Sequence, residues 1–158
     1  MKTGHTEVAG WCLVASAKRG ERRLVSVVLG ASSDHARASE SQKLLNFGFQ
    51  AFDTVQLYQA GKPVASLRVW KGAARKVGAG FLADRYLTLP RGRAGDLKLT
   101  MEAMEPIVAP VARGQRIGVV RVSLDGAPAA EFPLIALEEV GPANLFVRAW
   151  DSVRLWFE

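Results

Sequence analysis

The chain has 158 residues, of which 49% are apolar and 23% charged, enough for one ordinary core or two small ones and unlike a disordered or membrane-spanning composition. Lysine and arginine exceed the acids by six, which favours anionic partners such as lipid, nucleic acid or cell-wall polymer without choosing among them. One cysteine, Cys12, rules out an internal disulfide and any cysteine-based metal cluster, and it reads as an inert thiol in an apolar run.

The first residues are polar and no apolar leader core follows them, so no signal peptide is expected in this sequence. Residues 10–18 and 23–31 are apolar and β-branched, separated by "RGE" around Gly20, which predicts a hairpin with at least one buried face. "SSDHARASESQKLLNFGFQAF" follows, with Ser33 or Asp34 as N-cap and Ala38, Leu45, Phe49 and Phe52 at near-helical spacing. This predicts a helix over roughly 35–51, with Gly48 a weak spot near its end. Two strands and a helix cannot close a core alone.

From Thr54 the texture changes to short alternating runs broken by Gly, Pro and Asp. Leu67 and Val69 against Arg68 and Trp70 show the period of a half-buried strand, and Asp125-Gly126 marks a tight turn. About six short strands without a helical pattern predict a small all-β sandwich or barrel. After Gly141-Pro142 the pattern becomes helical again, and Phe146, Trp150, Val153 and Phe157 share a face that Trp156 widens. Such a helix is too short and too polar to span a bilayer and suits the membrane interface. The expected divisions are therefore 1–53, 54–141 and 142–158.

The residues that carry chemistry lie at the start. "KTGHT", then "AGWCLVASA", "LVSVVLG", "ESQKLLNFGF" and "YLTLPRG", resembles the low-molecular-weight penicillin-binding proteins, the serine D-alanyl-D-alanine carboxypeptidases, across the whole chain. The resemblance implies a mainly β chain: the hairpin-and-helix remnant of an α/β penicillin-binding domain, then an all-β sandwich domain, then an amphipathic C-terminal helix. It implies that Lys2 adds positive charge beside the nucleophile and Thr3 hydrogen-bonds the substrate's terminal carboxylate. Gly4 would let a peptide lie close along the strand, and the His5 backbone N–H would be an oxyanion donor. Arg37 matches an arginine that helps hold the terminal carboxylate.

The family's other two motifs are missing. None of the nine serines has lysine three places later or asparagine two places later, so S-x-x-K and S-x-N do not occur. Acyl transfer without nucleophile and base has no first step. The expectation is the C-terminal part of a carboxypeptidase that removes the terminal D-alanine of peptidoglycan stem peptides and is acylated by β-lactams when complete. No cofactor is implied. His5 and His35 are too far apart and too poorly accompanied for a metal site. Placement at the periplasmic side of the inner membrane follows from the resemblance, with Phe146, Trp150, Val153, Trp156 and Phe157 as the anchor. The rival reading is a non-catalytic β module that binds a protein or a membrane surface. "PRGRAGDLK" reads as a solvated turn, and no nucleic-acid partner is expected.

Overall fold

In the computed structural model the chain is mainly β with one well-formed helix, and residues 1–144, 148, 150 and 151 are described. It forms two compact units, Met1–Val55 with Thr88–Ala94, and Gln56–Leu87 with Gly95–Glu158.

The first unit begins with β1 (Lys2–Thr6), β2 (Gly10–Arg19) and β3 (Arg22–Ala31), an antiparallel sheet in the order β1-β2-β3. Arg19 pairs with Arg22, so the "RGE" hairpin turns on two residues, Gly20 and Glu21. Helix α1 (Asp34–Ala51) packs on β2 and β3. Ser33 is its N-cap, accepting the Ala36 N–H at 3.0 Å, and Phe52 ends it in extended backbone.

The buried stripe of α1 differs from the predicted one. Ala38 is exposed, while Arg37, Ser41, Leu45 and Phe49 face the sheet at intervals of four residues. Ser41 is buried because its hydroxyl meets that of Ser26 on β3 at 2.6 Å, which satisfies both groups away from water. Gly48 does not interrupt the helix; a Cβ there would sit 2.7 Å from a Leu24 methyl, so β3 packs directly against the helix backbone. The helix's last carbonyls find arginines from distant sequence: Gly48 O accepts from Arg22 at 2.8 Å and Phe49 O from Arg91 at 3.4 Å.

The chain leaves the first unit along β4 (Phe52–Tyr58) and comes back along β7 (Arg85–Pro90), and these two strands pair with each other. The second unit holds β5 (Ala65–Trp70), β6 (Lys76–Gly80), β8 (Leu97–Ala103), β9 (Ile107–Val108), β10 (Arg116–Leu124) and β11 (Ala127–Ala136). They form a six-stranded sheet in the order β8-β10-β11-β6-β5-β9. Asp125 and Gly126, both at positive φ (52° and 81°), make the two-residue turn between β10 and β11.

Val77, Phe81, Val111, Ile117, Val120 and Leu134 fill the core of this unit, with Phe132 edge-on to Phe81. Trp70 departs from the simple alternation. It shares the polar face with Arg68 yet is only 5% exposed, with the Arg68 guanidinium stacked 3.6 Å from its ring centroid. The predicted terminal helix falls largely outside the described residues. Of its anchor face, Phe146, Val153, Trp156 and Phe157 lie outside them, and Trp150 is helical and exposed.

Candidate functional site: the edge strand

Strand β1 carries Lys2, Thr3, Gly4 and His5 along the open side of its sheet, since its other side pairs with β2. Directly opposed residues of an antiparallel pair share a face. Lys2 opposes Val14, which opposes Val27, whereas Thr3 opposes Leu13, which opposes Val28. Leu13 is 6% exposed and faces α1, so Thr3 projects on the helix side of the sheet and Lys2 on the other side. Nothing lies within 4 Å of a Cβ built on Gly4, leaving open space beside the motif.

The side of the sheet away from α1 is apolar and uncovered. Val14, Val25, Val27 and Leu29 are all exposed there, Val25 by 64% and Leu29 by 72%. Side chains of this size rarely crowd one solvated sheet face, and such a strip marks an interaction surface.

Arg37 fastens the motif strand from the helix. Its Nη1 donates to Gly4 O and to Cys12 O, each at 3.1 Å, and the guanidinium pairs with Asp34. It also lies 4.9 Å from the Trp11 ring centroid, and Trp11 stacks on His5 with centroids 4.0 Å apart. The pairing of β2 with β3 is irregular alongside: β3 takes three steps from Val28 to Ala31 where β2 takes two from Leu13 to Trp11. Gly30, at φ 69°, supplies the left-handed residue that this bulge needs.

The fold thus gathers Gly4, His5 and Arg37 through Trp11, and Lys2 and Thr3 stand on opposite faces of the same strand. Sequence reasoning missed Trp11 and Asp34 as partners of Arg37. The one available signal was an i, i+3 spacing of Asp34 and Arg37 at a helix start. Cys12 is half-buried, and its thiol lies 3.8 Å from Ala9 O. Among the described residues no group of His, Cys, Asp and Glu side chains could hold a metal ion.

With this geometry in place, the comparisons decide the family. Residues 52–142 match the family described as "Penicillin-binding protein 5, C-terminal domain", and residues 1–33 match "D-alanyl-D-alanine carboxypeptidase". The chain belongs to the penicillin-binding protein 5 family of D-alanyl-D-alanine carboxypeptidases. It is 41% identical over 159 aligned residues to D-alanyl-D-alanine carboxypeptidase DacA of Escherichia coli K12, covering 99% of this chain and 39% of that protein. DacF of Bacillus subtilis is 33% identical, over 91% of this chain and 37% of its own length. The crystal structure of penicillin-binding protein 5 from Haemophilus influenzae superposes with a TM-score of 0.84 at 40% identity, covering 89% of this chain and 42% of that one. The chain therefore spans about two fifths of the length of these relatives.

Proposed function

We propose that this chain provides the K-T-G wall and the β domain of a serine D-Ala-D-Ala carboxypeptidase whose nucleophile and base lie outside these 158 residues. The observation that carries the reading is the open edge strand β1, fastened by Arg37, lying within the 1–33 family match and followed by the 52–142 match in the expected order. A stem peptide would lie against that edge as an added strand, with main-chain bonds giving affinity. Lys2 would supply positive charge for the nucleophile and the incoming carboxylate, and the His5 N–H would face the oxyanion. Thr3 and Arg37 would receive the terminal carboxylate. For Arg37 this means sharing donors already given to Gly4 O and Cys12 O. The uncovered strip of Val14, Val25, Val27 and Leu29 lies on the Lys2 side and supports a further lobe covering it, the lobe that would bring S-x-x-K.

In the same reading, the segment around Trp150 tethers the protein peripherally to the outer face of the inner membrane. Trp150 is exposed, and the chain's excess of six cations suits an anionic surface. Among the described residues no helix is long and apolar enough to cross a membrane.

The test is made at the native locus, with a C-terminal tag and fluorescent penicillin. A tagged band well above 17.1 kDa that takes the label is expected. A tagged band at 17.1 kDa, unlabelled, would overturn the proposal, because no serine in this chain has the lysine that activates it.

A further inference from the structure

The turn between β5 and β6 is held through four of its backbone groups. Val69 N–H donates to Arg75 O at 2.9 Å, which closes the turn. Lys71, at φ 57°, donates its N–H to Asp151 Oδ2 at 2.8 Å and accepts from Ala143 N–H at 2.8 Å. Ala73 N–H reaches Gly141 O at 2.9 Å. At Gly72 a Cβ would stand 2.8 Å from Ala74 O and 2.9 Å from a Val140 methyl, so the turn is pressed against the core. It is a fixed platform.

Cationic side chains surround this platform. Arg68, Arg75 and Lys76 line a cavity of about 220 Å3 together with Trp70 and Asp151. Stacking on Trp70 sets the plane of the Arg68 guanidinium. Arg75 also borders a neighbouring cavity of about 250 Å3. Several arginines elsewhere meet carboxylates: Arg121 has Glu102 and Glu131, while Arg22 and Arg91 have Asp53. Neither Arg75 nor Lys76 pairs with a carboxylate among the described residues. Asp151 is the one acid lining the cavity, and its Oδ2 already accepts the Lys71 N–H.

We propose that this turn is a binding site for a phosphate group. Guanidinium forks match phosphate oxygens in geometry, a neighbouring ammonium adds point charge, and a rigid turn holds the backbone that carries the cations, so that only side-chain ordering is left to be met on binding. The phosphate could belong to a soluble anion or to the headgroup of an anionic lipid. The lipid source rests on the membrane-tether reading; the phosphate site itself does not.

Both sources are tested on the full chain. Inorganic phosphate is titrated into 15N-labelled protein, with chloride at matched ionic strength as control, and compared with the double variant Arg75→Gln/Lys76→Gln. Both side chains are exposed, and an unchanged amide spectrum elsewhere verifies the variant's fold. Saturable shifts at the Trp70 indole N–H and the amides of Gly72, Arg75 and Lys76, lost in the variant, are expected. In parallel, binding to phosphatidylcholine vesicles with and without phosphatidylglycerol is measured. If the headgroup is the source, the variant weakens binding to the anionic vesicles about 25-fold, roughly fivefold per cation removed, and leaves neutral vesicles unaffected. Phosphate shifts without any vesicle binding keep the site and remove the tether. Vesicle binding equal in both proteins, with phosphate shifts only in the wild type, makes the source soluble. Shifts that fail to saturate, or that persist in the variant, overturn the site.

Discussion

Replacing Arg37 tests whether the motif strand is clamped from the helix. Arg37→Gln removes two charge-assisted hydrogen bonds, to Gly4 O and Cys12 O, from a side chain only 12% exposed. Bonds to charged groups contribute about 1.5–3 kcal/mol each. Gly4 is exposed, however, so water replaces part of what is lost there. The ion pair to Asp34 adds little, since that carboxylate is 68% exposed. A net local loss of about 2–3 kcal/mol remains, which speeds amide exchange by about 30- to 150-fold where opening limits it.

The assay is hydrogen exchange resolved by segment in the full chain. Amides of Lys2–Thr6 and the facing part of β2 should accelerate, while α1 beyond its first turn and residues 97–136 keep their wild-type rates. Arg37→Lys retains the charge but not the fork that spans two carbonyls, and should fall between the two. Unchanged exchange in β1 for Arg37→Gln would refute the clamp. Acceleration spread evenly over α1 would mean that Arg37 supports the whole unit, with no special hold on the motif.

Other outcomes follow from the same packing. Leu134→Ala, at a fully buried position of the second unit, should cost about 2–5 kcal/mol, read as a lowered urea midpoint with an unchanged slope. Burial raises the Tyr58 hydroxyl above its ordinary 10.0, so the folded state holds that proton more tightly than the unfolded chain. Stability should be unaffected by Tyr58 below pH 10 and fall as pH rises through the higher folded value; Tyr58→Phe should flatten that alkaline decline in urea midpoints.

Local pattern sufficed wherever the deciding contacts are near in sequence. The hairpin of β2 and β3, the Ser33 cap, and the Asp125-Gly126 turn each depend on residues within a few positions of one another, and the sequence places them within one or two residues of where they stand. The K-T-G strand was legible too, because three residues in the right setting carry the resemblance. Its neighbours were not. Arg37 reaches Gly4 across 33 residues, and whether it is a clamp or a free ligand depends on the helix sitting over the β2–β3 bulge.

What the sequence determined by itself is the family, the succession of hairpin, helix and β-rich segment, and the absence of the two motifs that start acyl transfer. Tertiary structure alone decided which faces are covered. It put a polar pair, Ser26 and Ser41, in the seam between helix and sheet, where apolar periodicity pointed to Ala38. It buried Trp70 under Arg68 on a nominally polar face, and left Val25, Val27 and Leu29 facing outward. Hydrophobicity states only that a side chain gains by leaving water. Which side chains do so depends on what the fold brings against them, and that is set by residues tens of positions away.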